Sequence, residues 1–212
     1  MISLRRYYLD KCLEEHEYLM RGKVLDIGGK KTGKRGIFSP PSKNVELWEY
    51  LNSDQSTDPD YCCSAENIPL PDCSIDTVIM TEVLEYLPRP KKVLSEIFRV
   101  IKDKGNVLIS VPFLNPIHGD YWIDRKRYTT VSLKEMVERE GFSINKLEPM
   151  GSVGAVLYDI LRAAVGYADT SGRYSKWRKI LERSKTFFFW LDRIFDRQKT
   201  YINTGYFMII NK

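Results

Sequence analysis

The fold is decided by a short stretch near the amino terminus, Lys23-Val24-Leu25-Asp26-Ile27-Gly28-Gly29. Its leucine and β-branched residues predict a strand, and the two glycines predict the end of that strand. Glycine at the carboxyl end of a strand lets a ligand approach the backbone closely, and open α/β sheets bind their ligands at that end. We therefore expect a ligand-binding turn at Gly28 and Gly29.

The rest of the chain alternates between strand and helix patterns. Further strands are predicted at 45–51, 60–64, 77–80, 106–111, 142–147 and 204–210, and helices at 5–20, 93–101 and 132–140. Ser132, with Glu135 three residues later, has the spacing of a capping box. This alternation favours an α/β fold with a doubly wound, mostly parallel sheet of seven strands. It divides the chain into an N-terminal helix (1–22), a core (23–150), a helical insertion (151–200) and a final core strand (201–212).

The composition excludes several classes of protein. With 43% hydrophobic residues and 13 Gly and 10 Pro among 212, the chain is too apolar to be disordered and too poor in Gly and Pro to be a linker. Its apolar runs fall short of the ~20 residues that cross a bilayer, and its first residues lack the apolar core of a signal peptide. The chain has four cysteines, and their spacing is not that of metal ligands: Cys12, Cys62, Cys63 and Cys73. We expect reduced thiols, no metal site and a cytoplasmic location.

The positive charge is concentrated late in the chain. The formal net charge is +5, and residues 169–199 alone carry nine basic against four acidic residues, so the remainder is close to neutral. This distribution argues against a nucleic-acid partner. Large aromatic residues interleave with the basic ones, a mixture that suits the surface of an anionic membrane and predicts a peripheral contact through residues 173–199. The alternative is an ordinary amphipathic helix that packs its aromatic residues on the core.

Three further segments follow the first strand in a characteristic order: Ser64-Ala65-Glu66-Asn67-Ile68-Pro69-Leu70-Pro71-Asp72, then Thr81-Glu82-Val83-Leu84-Glu85, then Lys104-Gly105-Asn106-Val107-Leu108-Ile109. Together with the first strand and its glycines, they resemble the class I S-adenosylmethionine-dependent methyltransferases, in the branch of the type 11 methyltransferases. The resemblance covers about residues 23–111 and is weaker in the final strand. It implies a Rossmann-like methyltransferase fold and S-adenosylmethionine as the cofactor.

The resemblance also implies a set of cofactor-binding residues. In the family, the positions of Asp26, Gly28 and Gly29 contact the methionine part of the cofactor and that of Asn52 contacts the ribose. The adenine is held at Ser64, Ala65 and Glu66, and Thr81 and Glu82 lie beneath the cofactor. The sequence departs from the family at three places. Lys30 replaces a third glycine, Asn52 replaces a ribose-binding carboxylate, for which Glu49 is the nearest acid, and residues 30–41 lack the apolar period of the usual helix.

A second group of polar residues, Pro112–Thr129, follows the fifth predicted strand at the same edge of the sheet. We predict His118 as a general base because the pKa of an imidazole is near 6.5, with Asp120 and Asp124 as further catalytic residues. Acceptor contacts are predicted at Tyr121, Arg125, Arg127 and Tyr128. The alternative is that the histidine and the aromatic residues only pack. The other histidine, His16, is expected at the surface of the first helix.

The predicted function is O-methylation of a glycan or another small molecule. The sequence from His118 to Thr129 looks like family members associated with polysaccharide and lipopolysaccharide assembly, which is an analogy of context. Two alternatives stay open: a non-catalytic methyltransferase-like subunit, favoured by Lys30 and Asn52, and a lipid or quinone methyltransferase at a membrane surface, favoured by residues 173–199. The insertion at 151–200 is expected to form a lid or a surface for a membrane or partner.

Overall fold

The computed structural model describes residues 2–32, 36–117, 122–166 and 172–212, and its centre is one seven-stranded sheet. The strands are β1 (Gly22–Ile27), β2 (Val45–Asn52), β3 (Tyr61–Cys62), β4 (Ile75–Thr81), β5 (Ile101–Pro112), β6 (Ser143–Met150) and β7 (Gly205–Asn211). Their order is β3-β2-β1-β4-β5-β7-β6. Strand β7 is antiparallel to both of its neighbours, and the other pairs are parallel. The predicted α/β fold with a mostly parallel sheet is confirmed.

Six α-helices flank the sheet. They are α1 (Leu4–Glu15), α2 (Pro90–Val100), α3 (Thr130–Arg139), α4 (Val153–Gly166), α5 (Ser175–Arg183) and α6 (Lys185–Ile194), within the described part of the chain. None of these helices is long and apolar enough to cross a membrane.

The cap of α3 differs from the prediction. Thr129, and not Ser132, precedes the helix, and its Oγ1 accepts a hydrogen bond of 3.2 Å from the backbone N–H of Ser132. The Ser132 hydroxyl oxygen in turn accepts from the backbone N–H of Thr129 at 3.0 Å. The predicted capping box is therefore displaced by three residues, because Thr129 has the same capping chemistry. Glu135 forms an ion pair with Arg139 instead.

The sheet buries different apolar residues on its two faces, as alternating side chains require. On one face, Leu25 and Val78 belong to a core completed by α2 and α3. On the other, Val24 and Ile79 pack with Leu9 of α1 and its neighbours. No helix occurs in the described residues between β1 and β2, which agrees with the missing apolar period there.

Helix α1 contains a second departure from the prediction. His16, expected at the surface, is 7% exposed, and its ring lies 5.5 Å from that of Phe207 between centroids. Its Nδ1 is 2.8 Å from the backbone oxygen of Cys12, and its Nε2 is 3.1 Å from Lys146 Nζ. The prediction was wrong because the end of α1 packs on the sheet, where an imidazole is buried with polar partners.

The insertion joins the sheet at the edge where the parallel strands end. It leaves β6 after Met150 and returns at Gly205, which pairs with both Met150 and Pro112. Its helix α4 is fixed to α1 by the Asp159 carboxylate, which accepts hydrogen bonds from the backbone N–H groups of Leu4 (2.9 Å) and Arg5 (3.0 Å). These bonds satisfy donors that the first turn of a helix leaves unpaired.

Candidate active site

The turn after β1 packs directly on the turn after β4. Gly28 has φ +79°, a conformation that favours glycine, and its N–H donates to the backbone oxygen of Leu51 at 2.7 Å. A Cβ on Gly28 would lie 2.3 Å from Val83 Cγ2. Glycine is therefore required both by the backbone and by the neighbouring turn.

The carboxylate of Asp26 covers Gly29. A Cβ on Gly29 would lie 2.3 Å from Asp26 Cγ, so the absence of a side chain leaves the space that this carboxylate occupies. Burial, followed by the negative charges of Asp26 and Asp60, raises the pKa of Tyr50 to about 12. The Asp26 carboxylate thus stands beside the glycine turn, where it can receive a cationic amino group.

Asn52 ends β2 next to the same turn. Its Nδ2 donates to the backbone oxygen of Gly29 at 3.0 Å, and its Oδ1 accepts from the backbone N–H of Asp54 at 3.0 Å. The amide oxygen has a second lone pair that can accept from a hydroxyl. Glu49, the nearest acid in the sequence, accepts from the Tyr61 hydroxyl at 2.8 Å. Asn52 is therefore the polar side chain that β2 brings to the glycine turn.

The turn after β3 contains the predicted adenine-binding residues. Ser64 is exposed, and its Oγ accepts from the backbone N–H of Glu66 at 3.2 Å. Ala65 and Glu66 are buried, and the Glu66 carboxylate forms an ion pair with Arg89, which precedes α2. Of these three residues, Ser64 is the one that presents its side chain to solvent.

Glu82 lies at the centre of this edge in a left-handed backbone conformation, φ +58°. This conformation costs a residue other than glycine roughly 1–2 kcal/mol, so contacts with neighbouring residues must stabilise Glu82 in it. Its N–H donates to the backbone oxygen of Ser110 at 3.0 Å, and its Oε1 accepts from the Ser110 hydroxyl at 3.0 Å. The carboxylate also forms an ion pair with Arg5 of α1.

Sequence reasoning missed Arg5. It lies far from the glycine turn in the chain, and its backbone N–H is held by Asp159 of the insertion. Nothing local in the sequence connects these residues, so no pattern could have found the contact.

The segment after β5 carries the predicted acceptor site. Phe113 and Leu114 continue the backbone hydrogen bonding of the sheet beyond β5. Their N–H groups donate to the backbone oxygens of Thr204 (2.9 Å) and Asn203 (3.2 Å), respectively. His118, Asp120 and Tyr121 lie outside the described residues, and their roles stay predictions.

Asp124 and Arg127 form a bidentate ion pair inside this segment. Arg127 Nη2 is 2.7 Å from Asp124 Oδ2, and the Asp124 side chain is 1% exposed. The hydrogen bond to Asp124 raises the pKa of Arg127. Arg127 also donates to the backbone oxygen of Asn115 at 3.4 Å, so the pair joins the two described ends of the segment. The structure gives both side chains a role in holding it together.

The other two predicted acceptor residues have different surroundings. Tyr128 is buried, its hydroxyl donates to the backbone oxygen of Leu84 at 3.1 Å, and burial raises its pKa to about 12. Arg125 is exposed, and its backbone N–H donates to the backbone oxygen of Glu85 at 3.1 Å. Tyr128 thus packs beneath the turn after β4, whereas Arg125 stays at the surface.

A cleft of about 410 Å³ opens against this segment, lined by Phe113, Leu114, Asn115, Ile117, Asp124, Arg125, Lys126 and Arg127. Its size is that of a small-molecule site. A second cleft, of about 490 Å³, lies between α1, the end of β6 and α6. The first cleft adjoins the end of β5, at the edge that carries the glycine turn and where open α/β sheets bind ligands.

Comparison with known proteins identifies relatives of part of this chain. Residues 41–109 match the family model described as a methyltransferase domain. A probable S-adenosylmethionine-dependent methyltransferase of Mycolicibacterium smegmatis is 32% identical over 88 residues. That match covers 36% of this chain and 32% of the relative, so it spans about a third of the relative's length. The resemblance indicated by the sequence motifs is confirmed over this part of the chain.

Solved structures share the whole architecture. The cyclase SpnF superposes with a TM-score of 0.63 at 17% identity, over 96% of this chain and 80% of that one. A SAM-dependent methyltransferase from Archaeoglobus fulgidus gives a TM-score of 0.55 at 18% identity, over 98% and 94%. At these identities the likeness establishes the fold alone, and it confirms the predicted Rossmann-like methyltransferase fold.

Proposed function

We propose that this chain, of which residues 41–109 match the methyltransferase-domain family model, binds S-adenosylmethionine and transfers its methyl group to an acceptor. The observation that carries the proposal is the hydrogen bond of 3.0 Å from Asn52 to Gly29. It brings the polar end of β2 to the glycine turn of β1, as a nucleoside-binding edge requires.

The donor set at this edge fits the cofactor. The Asp26 carboxylate would hold the amino group of the methionine part, and the turn at Gly28 and Gly29 would let that part approach the backbone. The Asn52 amide oxygen would accept from a ribose hydroxyl, and the exposed Ser64 would contribute to the adenine site. The bound cofactor supplies a methyl group already activated on a sulfonium.

The rest of the reaction asks the chain to orient the acceptor and to remove its proton. The acceptor occupies the cleft of about 410 Å³, with Arg125 at its surface and Phe113 on its wall. His118 is the proposed base, with Asp120 as the second candidate in that segment, since Asp124 is held by Arg127. The acceptor class is an oxygen of a glycan or another small molecule, which a mixed aromatic and cationic cleft suits.

Cofactor binding is tested by calorimetry with S-adenosylmethionine and with its demethylated product. Asp26→Asn keeps the shape and removes the charge, so we expect affinity to fall about 10- to 100-fold. Glu138→Gln, an exposed residue of α3, makes the same change away from the edge and should leave affinity unaltered. Absence of binding by the wild-type chain at millimolar ligand would refute the proposal.

The second candidate is a protein of this fold that does not transfer methyl groups. Asn52 favours it, since its amide nitrogen and one lone pair of its amide oxygen are engaged within the chain, which leaves a smaller capacity for two ribose hydroxyls than a carboxylate has. Incubating the chain with methyl-labelled cofactor and native extracts separates the candidates. Cofactor binding without any labelled product would favour the second.

A further inference from the structure

The insertion exposes apolar residues on the outward side of α4. Leu157, Ile160 and Leu161 are 43%, 48% and 45% exposed. The opposite side of the helix, with Ala155 and Asp159, is buried against its neighbours. A surface helix normally has its polar residues outward. Helix α4 therefore offers an apolar face that the described part of the chain does not cover.

Helix α6 also presents an apolar stripe. Phe187, Trp190 and Ile194, spaced three and four residues apart, are each about half exposed, and the rings of Phe187 and Trp190 stack with centroids 5.7 Å apart. Phe188 points inward and meets the Tyr158 ring edge-to-face. The alternative that these aromatic residues simply pack on the core holds for Phe188 and not for the exposed stripe.

A basic stripe runs along α5. Lys176, Lys179 and Arg183 share one exposed face at three- and four-residue spacing, opposite the buried Leu181. Trp177 and Ile180, both more than half exposed, lie beside them.

Both acidic residues of α5 and α6 have partners within the chain, but only Asp192 is buried, whereas Glu182 is exposed. Asp192 is buried and accepts hydrogen bonds from the Tyr8 hydroxyl and from the backbone N–H groups of Ser152 and Ala155. Glu182 accepts from the Tyr158 hydroxyl at 3.0 Å and forms an ion pair with Lys185. Because Asp192 is buried, the exposed part of α5 and α6 carries one negative charge fewer than the sequence count suggests.

We propose that the outward side of α4, α5 and α6 docks on the surface of an anionic phospholipid bilayer. Exposed aromatic residues suit the level of the headgroups, and the basic stripe is complementary to anionic lipid. A second copy of the chain fits less well, because a two-fold contact would bring the basic stripes of both copies together. The proposal goes beyond methyl transfer and does not depend on it.

The surface is connected to the acceptor cleft. The backbone oxygens of Asn203 and Thr204, where the insertion ends, accept from Leu114 and Phe113, which line that cleft. Docking of the insertion would thus affect residues that are hydrogen-bonded to the lining of the cleft proposed for the methyl acceptor.

The test is co-sedimentation of the full chain with vesicles of phosphatidylcholine alone and of phosphatidylcholine with phosphatidylglycerol at 3:1. We expect partitioning onto the anionic vesicles at low salt, decreasing as salt rises. Replacing Lys176, Lys179 and Arg183 by Gln should lower the partition coefficient roughly 10- to 100-fold. Arg178 and Lys185 are left unchanged, because Arg178 donates to the carbonyls that end α4 and Lys185 pairs with Glu182.

The matched control replaces Lys91, Lys92 and Lys134 by Gln, which removes the same charge from exposed positions on α2 and α3. It should keep most of the vesicle binding. A second variant, Phe187→Ser with Trp190→Ser, should weaken binding at every salt concentration, and circular dichroism checks that it is folded.

Several results would overturn the proposal: no binding of the wild-type chain to anionic vesicles at low salt, an equal loss in the control triple, or a dimer that the Phe187 and Trp190 changes dissociate. Cofactor calorimetry on the same proteins keeps the two proposals apart. If the wild-type chain binds the cofactor but not anionic vesicles, only this proposal is refuted, and if it binds the vesicles but not the cofactor, only methyl transfer is refuted.

Discussion

The glycine turn and the insertion meet the same edge of the sheet, yet they are built by different kinds of contact. At the turn, Gly28 is required by its own backbone angle and by Val83 of the adjacent strand's turn. In the insertion, the consecutive residues Phe187 and Phe188 differ in burial: Phe187 is exposed and Phe188 is buried. A local motif thus specifies the cofactor edge, whereas long-range packing decides which face of the insertion is presented to solvent.

The largest effect is expected at the turn. Gly28→Ala places a Cβ against Val83 and imposes φ +79° on alanine, so we expect a loss of about 2–4 kcal/mol in the free energy of unfolding. Urea denaturation measures it. Val83→Ala combined with Gly28→Ala should recover about 1 kcal/mol of that loss by removing the clash. A double-mutant cycle with no coupling would show that Val83 is not the reason for the glycine.

The next effect concerns the attachment of the insertion to α1. Asp159→Ala leaves the N–H groups of Leu4 and Arg5 without their acceptor in a buried place, so we expect about 2–3 kcal/mol of destabilisation. Hydrogen exchange at these two amides should accelerate with it. Asp196→Ala, an exposed residue paired with Lys199, is the control and should cost less than about 0.5 kcal/mol. Equal effects of the two changes would contradict the anchoring role of Asp159.

The smallest effect is a change of stability with pH, which has one sign at Asp159 of the insertion and the opposite sign at Glu96 of α2. Burial raises the pKa of Asp159, although the N–H groups of Arg5 and Leu4 partly offset this. The folded state then binds the proton first, so stability increases as pH falls through the raised pKa. In the core, hydrogen bonds from Arg99 lower the pKa of Glu96 below its usual 4.5, so its contribution is lost as pH falls below 4.5.

Denaturation curves between pH 7 and pH 3 measure these signs. The stability of the wild type relative to Asp159→Asn should rise as the solution is acidified, while its stability relative to Glu96→Gln should fall below pH 4.5. Parallel pH profiles for both comparisons would refute the contrast.

Several parts of the fold and of the site were predictable from sequence because they depend on near neighbours. The glycine turn follows from strand composition, and the missing helix after β1 follows from the absent apolar period. The family resemblance put Asn52 at the end of the second strand, and the structure shows that it contacts Gly29 there. Neither the burial of His16 nor the capping of α3 by Thr129 was predicted. The local sequence is compatible with a buried or an exposed His16, and with Thr129 or Ser132 as the cap. The pairing of Asp124 with Arg127 was likewise hidden, since both were reasonable site residues.

The sequence by itself determined the order of strands and helices, the glycine turn after the first strand and the presence of an insertion before the last strand. Side-chain periods and glycine positions act over a few residues, so they can be interpreted without the fold. Only the tertiary structure decided that Arg5 reaches Glu82 and that Asp159 holds α1. Such contacts join residues up to 155 positions apart, and they exist because α1 packs both on the insertion and beside the turn after β4, which buries those polar groups together.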